Sequence, residues 1–168
     1  MFATHFDLEA AVRAAATPHA LTAARKGLTF EIKIAPEARG LFLGDGPRVQ
    51  QIVDVLAANA VKYTDKGGVV VRLLEEERVG VRSLFKLSVT DTGLGFDETT
   101  AGALFERFSQ GPAAKGGLGL GLAIADAIAR AMGGGISASA AGGLGSEFIV
   151  RLPLERPIEA DEARRASA

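Results

Sequence analysis

The chain has 168 residues, enough for one domain with a buried core and too few for two domains of ordinary size. Its 19 Lys and Arg nearly balance its 20 Asp and Glu, for a net charge of −1, so no overall field attracts nucleic acid or an anionic membrane. The chain has no cysteine, which excludes disulfides, thiolate nucleophiles and thiolate metal sites. No apolar run reaches the roughly 18 to 20 residues that span a bilayer. We therefore expect a soluble, cytoplasmic domain without membrane contact.

The first part of the chain predicts two helices with a strand between them. Residues 8–25 are rich in alanine and predict a helix that Pro18 should break or bend. Residues 28–34 alternate apolar and polar side chains, which predicts a half-buried strand. From Pro47 to Tyr63 the apolar residues recur at helical spacing, and proline suits the first turn of such a helix.

The second part predicts a sheet and one more helix. Residues 69–74 and 84–90 predict two paired strands, and a helix from Leu118 should end at the glycines at 133–135. Closing strands are predicted at 136–140 and 146–152. We expect one domain over residues 1–154 and a charged tail or linker over 155–168. The elements predict an α+β fold, a two-layer α/β sandwich whose mixed β-sheet is covered on one face by helices.

Glycine is concentrated in one stretch of the chain. Of 21 glycines, 14 lie between Gly93 and Gly145, and the segment between Asp91 and Leu118 is longer than most loops. The chain has no Gly-Lys pair for a P-loop and no GxGxxG pattern. The run KGGLGLGLAIA would instead bring glycines into a helix N-terminus, whose amides bind phosphate well. The alternative is a flexible hinge with a tight helix–sheet contact.

Three polar residues border the predicted core. Asp91 continues the core-facing alternation of its strand, where an unpaired carboxylate is costly to bury; alternatively, it caps the turn amides of Thr92 and Gly93. Asn59 and Lys62 lie one helical turn apart, a pairing suited to a magnesium–phosphate group. The alternative is the polar margin of an amphipathic helix.

Five motifs occur in order along the chain, namely LAANAVKYT, DTGLGF, LFERFSQ, KGGLGLGLAIA and AGGLGSEFIVRLP. They resemble the N box, the three glycine boxes and the F box of the catalytic and ATP-binding domain of sensor histidine kinases. The preceding GDGPRVQQI resembles the lead into the N box of hybrid kinases. That family shares the Bergerat ATP-binding fold with DNA gyrase, the Hsp90 chaperones and MutL. The resemblance covers residues 6–154 and implies Mg²⁺-ATP binding between the N-box helix and a mobile lid.

The resemblance implies a role for each matching residue. Asp91 would accept a hydrogen bond from the adenine amine, Gly95 would let the ring lie close, and Ser146 would complete the polar contacts. Tyr63 would pack near the adenine or under the lid. The residues implied to contact ATP are Asn59, Lys62, Tyr63, Asp91, Gly93, Gly95, Phe96, Arg107, Phe108, Gln110, Lys115, Gly116, Gly117, Leu118, Gly119, Leu120, Gly121 and Ser146.

The resemblance also implies which residues contact the phosphates of ATP. Asn59 would coordinate Mg²⁺ and Lys62 would reach the phosphates, which makes these two the implied catalytic residues. Phe105 and Phe108 resemble the pair that anchors the lid, and plain core packing is compatible with that role. The residues implied to close on the β- and γ-phosphates are Arg107, Gln110 and Lys115. Arg107 and Lys115 are alternatively solvated surface charges.

The resemblance implies a histidine protein kinase that presents the γ-phosphate of ATP to a histidine on a separate dimerisation hairpin. A response-regulator receiver domain would be a further partner, the isolated domain would be monomeric, and the full-length protein could still be membrane-anchored. His5 and His19 do not resemble the phospho-accepting sequence. We therefore expect both to be incidental and the chain not to phosphorylate itself efficiently.

Two positions depart from the family pattern. Val55 stands where the family usually has a polar residue, and where the gyrase and MutL relatives have the glutamate that activates water, so we expect weak ATP hydrolysis. Leu118 replaces a hydroxyl residue and removes one phosphate hydrogen bond of roughly 0.5–1.5 kcal/mol. The alternative function is a non-catalytic ATP-binding regulatory module, a pseudokinase of the same fold. A chaperone or DNA-repair clamp is disfavoured by Val55, the short chain and the form of the second glycine box.

Overall fold

The computed structural model describes residues 3–92, 118–140 and 146–157. The helices in this part of the chain are α1 (Leu8–Arg25), α2 (Gly46–Tyr63) and α3 (Leu118–Ala131). The strands are β1 (Thr4–Asp7), β2 (Thr29–Ile34), β3 (Leu41–Gly44), β4 (Gly68–Val79), β5 (Arg82–Asp91), β6 (Gly135–Ala140) and β7 (Ser146–Glu155). Among these helices, none is long and apolar enough to cross a membrane.

The strands form one mixed sheet in the order β1-β3-β7-β5-β4-β2, and β6 also pairs with β7. β2 and β4 are parallel, with α2 in the connection between them, and the other pairs are antiparallel. The strand pair predicted from residues 69–74 and 84–90 is confirmed as β4 and β5. The strands β1 and β3 are additions to the prediction, because four-residue strands are too short to show a period.

The core lies between the helices and one face of the sheet. Along β5, Phe85, Leu87 and Val89 are buried, and the register places Val150 opposite Leu87 and Phe148 opposite Val89. Helix α1 packs on α2 and β2, α2 packs on β5 and α3, and α3 packs on β6 and β7. This arrangement confirms the two-layer α+β sandwich.

Helix α1 runs through Pro18 without a break. Proline removes one backbone donor from the helix, but Pro18 is exposed, so water can satisfy the carbonyl that loses its partner. The hydroxyl of Thr17, the residue directly before the proline, donates to the Arg13 carbonyl at 2.6 Å. The exposed position therefore tolerates the proline that the sequence predicts as a break or bend.

Helix α2 begins as predicted near Pro47. The Asp45 side chain caps it by accepting a hydrogen bond from the Arg48 amide at 3.2 Å, and Pro47 occupies the first turn, where its missing donor costs nothing. The helix then buries one apolar face, made of Val49, Ile52, Val53, Leu56, Ala57, Ala60 and Val61. Residues of α2 outside this buried face, such as Asn59 and Lys62, remain available for a functional site.

The core continues two residues past the predicted domain end at 154. β7 runs to Glu155, and the Arg156 side chain, only 6% exposed, forms a 2.9 Å ion pair with Glu75. The Arg156 guanidinium also lies 5.0 Å from the centre of the Phe42 ring. Arg156 Nη2 donates to the Glu75 carboxylate and to the Glu37 carbonyl, whereas its buried Nε has no partner among the described residues. Residues 158–168 of the predicted tail lie outside the described part.

Candidate functional site

Asp91 and Ser146 form a buried polar pair where two central strands meet. Asp91 is the last residue of β5, Ser146 is the first residue of β7, and the two are register partners. The Ser146 hydroxyl donates a hydrogen bond to Asp91 Oδ2, and the two residues are 3% and 9% exposed. The core-facing position predicted for Asp91 is confirmed, and the bond to Ser146 restrains the orientation of its carboxylate.

Thr92 ties the end of β5 to the start of β4. Its amide donates to the Gly68 carbonyl at 2.9 Å, and the Gly68 amide donates to Thr92 Oγ1 at 2.8 Å. Gly67 has a φ of +102°, and a Cβ there would lie 2.6 Å from Thr92 Oγ1, so this turn needs glycine. The Thr92 amide is bonded to the Gly68 carbonyl of β4. The pairing of β4 with β5 therefore fixes the backbone next to Asp91. Thr92 is not among the predicted site residues, although it directly follows Asp91.

Asn59 presents an unsatisfied buried amide. Its Nδ2 is buried and has no hydrogen-bond partner among residues 3–92, 118–140 and 146–157. A buried polar group left without a partner costs about 1–3 kcal/mol, and native proteins seldom keep one without a reason. The polar margin of an amphipathic helix does not by itself supply a partner for this buried amide within the described ranges.

Lys62 and Tyr63 lie on the last turn of the same helix, and both are exposed. The Lys62 ammonium lies 5.4 Å from the centre of the Tyr63 ring, a cation–π distance. Lys62 is therefore on the solvent side of α2 within one turn of Asn59. A cation in this place can meet an anionic ligand that approaches from solvent.

The start of α3 packs on α2 close to Asn59. A Cβ added at Gly121 would lie 3.4 Å from Val55 Cγ1, and Val55 is one turn before Asn59. Leu118, Gly119 and Leu120 form the beginning of α3, whose first turn carries no acidic residue. A helix N-terminus whose first turn carries no carboxylate favours anions. Gly121 thus brings the start of α3 against α2 at Val55, one turn before Asn59.

Several predicted site residues lie outside the described part of the chain, so the structure does not place them. They are Gly93, Gly95, Phe96, Phe105, Arg107, Phe108, Gln110, Lys115, Gly116 and Gly117.

The described residues can coordinate a magnesium ion only together with a bound ligand that supplies most of the oxygen donors. Within the described ranges, no group of three His, Asp or Glu is placed to hold a metal. Magnesium commonly takes one or two protein oxygens and completes its octahedron with phosphate oxygens and waters. The side-chain carbonyl of Asn59 suits that role, so the donor set agrees with a nucleotide-bound magnesium ion.

An apolar cleft lies at the opposite end of β7 from Ser146. It holds about 200 Å³ and is lined by Ala3, Leu43, Gly44, Asp45, Met132, Pro153 and Leu154. None of the predicted site residues lines it, so the candidate site is the region around Asp91, Ser146 and Asn59.

Comparisons with known proteins show the family of the chain. A family model described as "Histidine kinase-, DNA gyrase B-, and HSP90-like ATPase" matches residues 44–156. The chain is 37% identical over 123 residues to the sensor protein GacS of Pseudomonas syringae pv. syringae, covering 71% of this chain and 14% of that protein. It is 36% identical over 121 residues to the sensor protein TorS of Escherichia coli K12, covering 72% of this chain and 13% of that protein. The chain thus spans a small part of these relatives.

Solved structures show the same fold. Full-length ShkA in complex with AMPPNP is 32% identical with a TM-score of 0.76, and the match covers 92% of this chain and 32% of that chain. The catalytic domain of the histidine kinase ThkA is 21% identical with a TM-score of 0.70, covering 91% of this chain and 96% of that chain. The ThkA structure is of a catalytic domain on its own, and that domain is nearly the same length as this chain.

Proposed function

Because the chain belongs to the family of histidine kinase-, DNA gyrase B- and HSP90-like ATPases, we propose that it binds Mg²⁺-ATP and presents the γ-phosphate to a histidine on a separate dimerisation domain. The observation that carries this proposal is the buried pair of Asp91 and Ser146 at the junction of β5 and β7. Relatives named as a sensor histidine kinase and as a hybrid signal transduction histidine kinase support it. So does the nucleotide analogue in the ShkA complex.

Asp91 would recognise the adenine. A carboxylate only accepts hydrogen bonds, and the exocyclic amine of adenine donates them. Guanine has a carbonyl oxygen at that position, which would place two acceptors against each other in a buried site. The Ser146 hydroxyl donates to Asp91 Oδ2 and would hold the carboxylate ready for the base. This chemistry favours ATP over GTP.

Asn59 and Lys62 would hold the phosphates. The Asn59 carbonyl would bind the magnesium ion, its buried Nδ2 would donate to the ligand, and Lys62 would pair with phosphate oxygens. Magnesium, when bound, neutralises charge on the β- and γ-phosphates. The α3 N-terminus at Leu118–Gly121 would donate backbone amides to the same groups. Arg107, Gln110 and Lys115 are the proposed lid residues that close on them, with Phe105 and Phe108 as the lid anchor.

The site would position ATP and leave the chemistry to an incoming nucleophile. A histidine nitrogen of the acceptor domain would attack the γ-phosphorus, the new P–N bond would form, and the bond to the β,γ-bridging oxygen would break to leave ADP. Val55, one turn before Asn59, has no group that accepts a proton from water. Direct hydrolysis of ATP would therefore be slow.

The proposed partners follow from this reaction. The first is the dimerisation hairpin of the full-length kinase, and the second is a response-regulator receiver domain, which relatives named hybrid signal transduction histidine kinases support. The net charge of −1 offers no general attraction to nucleic acid. We propose that this domain is monomeric in isolation and acts in the cytoplasm.

One observation favours a second function, a non-catalytic ATP-binding regulatory module. Val55 packs at the junction of α2 and α3, where a polar residue is usual in the family pattern. The two functions differ in phosphate transfer. If γ-labelled ATP phosphorylates the dimerisation hairpin added in trans, this chain is the kinase module. If ATP binds and no label reaches the hairpin, the regulatory function replaces it.

A further inference from the structure

We propose that Lys26 is a positioning residue for the nucleotide site, because it fastens the end of α2 that carries the predicted phosphate ligands. The Lys26 ammonium donates to the Val61 carbonyl at 2.7 Å and to the Lys62 carbonyl at 3.3 Å. Asn59 and Tyr63 lie on the same final stretch of α2. This inference rests on the proposed function.

The end of α2 needs an external donor. The last four carbonyls of a helix have no partner within it, and glycine caps or nearby cations commonly satisfy them. Here the next residue, Thr64, is extended with φ −101° and ψ 118°. Its buried hydroxyl oxygen has no hydrogen-bond partner within the described ranges. Lys26 supplies both the hydrogen bonds and a positive charge at the negative end of the helix dipole.

Lys26 is itself held by the way α1 ends. Its amide donates to the Ala23 carbonyl at 3.0 Å, and the Leu28 amide donates to the same carbonyl at 2.9 Å. Between them Gly27 has a φ of +76°, the left-handed conformation that commonly closes a helix. The backbone that carries the lysine is therefore fixed, and its side chain links the end of α1 to the end of α2.

The link bears on ligand binding because helix ends fray first. Lys62 and Tyr63 are exposed at the end of α2. Without Lys26, the last turn would sample more conformations, and the ligand would have to order it on binding. Lys26 would thus raise nucleotide affinity without touching the nucleotide.

Three variants test this role. Lys26→Met removes the ammonium and keeps most of the stem, Lys26→Arg keeps hydrogen-bond donors, and Arg25→Met is the matched control. The Arg25 side chain is exposed and makes no hydrogen bond or ion pair within the described residues. The affinity for AMPPNP with Mg²⁺ is measured by calorimetry well below the unfolding midpoint of each variant. We expect Lys26→Met to weaken binding roughly threefold to tenfold and the other two to stay within about twofold of the original chain.

A spectroscopic measurement reads the helix end directly. Tyr63 is the only tyrosine and the chain has no tryptophan, so intrinsic fluorescence reports on this turn. We expect acrylamide to quench Tyr63 more readily in Lys26→Met than in Lys26→Arg or Arg25→Met. Equal affinity and equal quenching in all variants would overturn the positioning role and leave the proposed function intact. If the original chain binds no AMPPNP, the proposed function fails first and this role fails with it.

Discussion

The Ser146 hydroxyl donates a hydrogen bond to Asp91 Oδ2 across the register pair that joins the start of β7 to the end of β5. Both residues are buried, so the carboxylate is oriented by the two central strands of the sheet before any ligand arrives. Such preorganisation favours a ligand that donates a hydrogen bond from a fixed direction. The exocyclic amine of adenine is the proposed donor.

Replacing Asp91 with alanine should weaken ATP binding by about 1–3 kcal/mol and remove the preference for adenine over guanine, because the ligand amine loses its acceptor. Calorimetry with AMPPNP and with the corresponding guanine nucleotide measures both effects. Asp65→Ala is the matched control, since Asp65 is exposed and carries no hydrogen bond or ion pair within the described residues. Unchanged affinity and unchanged base preference in Asp91→Ala would remove Asp91 from the site.

Replacing Asn59 with alanine should abolish the magnesium dependence of nucleotide affinity without lowering stability. The Asn59 amide has no partner among the described residues, and alanine is the better helix former, so unfolding should cost the same free energy or up to about 1 kcal/mol more. Titrations with and without Mg²⁺ and a urea unfolding curve measure the two effects. Gln50→Ala, on the exposed side of the same helix, is the control. A variant that loses stability and keeps its magnesium dependence would show a structural role.

Replacing Val55 with glutamate should raise ATP hydrolysis. A carboxylate one turn before Asn59 could accept a proton from water, and such bases contribute about 10²–10⁴-fold. We expect the rate of ATP hydrolysis to rise about tenfold or more over that of the original chain. Val55→Gln has nearly the same shape and no basic group, so it should stay slow. Equal rates in the two variants would contradict the explanation of slow hydrolysis by Val55.

Stability should depend on pH through Glu75. Burial raises the pKa of this carboxyl, but the hydrogen bonds from Ser83 and Arg156 and the charge of Arg156 lower it by more, so the pKa lies below the ordinary value of a glutamate. A carboxyl with a depressed pKa stabilises the fold above its unfolded-state pKa, and that contribution disappears as the pH falls through the folded-state pKa.

The corresponding test compares Glu75→Gln with the original chain by urea unfolding over a pH series. We expect the variant to lose about 1–3 kcal/mol near neutral pH, with the difference shrinking as the pH falls below the usual carboxyl range. Glu77→Gln, at an exposed neighbour without a recorded partner in the described part, should show no such difference. A gap between Glu75→Gln and the original chain that persists in acid would contradict this assignment.

The chain should not phosphorylate its own histidines. The His19 Nε2 lies 2.6 Å from Asp54 Oδ1, which links α1 to α2 and engages that ring nitrogen. His5 is in β1, an edge strand of the sheet. With γ-labelled ATP we expect no acid-labile label on either residue. Labelling of His5 or His19 at a rate comparable with that of a complete kinase would refute this expectation.

The sequence predicts best where the period is local. The alternation along residues 84–90 is enough to place Asp91 on the core-facing side of β5, because successive strand residues alternate between faces. The apolar spacing from Pro47 to Tyr63 likewise predicts α2 and the face it buries. The pairing of Asp91 with Ser146 joins residues 55 apart in the chain. The resemblance to the kinase family predicts that these two residues share a site, whereas the local apolar pattern does not predict it.

Long-range contacts account for what the sequence did not predict. Arg156 is in a charged stretch that predicts a solvated tail, yet its ion-pair partner Glu75 is 81 residues away. Lys26 resembles any surface lysine until the fold brings it to the end of α2, 35 residues on. The strands β1 and β3 are short and depend on each other's backbone. None of these contacts changes the spacing of apolar residues within its own segment, so sequence periodicity cannot predict it.

Calorimetric titration of this chain with AMPPNP, with and without Mg²⁺, is the decisive measurement of nucleotide binding. We expect a dissociation constant on the order of micromolar that rises markedly when magnesium is withheld. No heat of binding at millimolar AMPPNP with Mg²⁺ present would show instead that the pair of Asp91 and Ser146 and the buried amide of Asn59 do not form a nucleotide site.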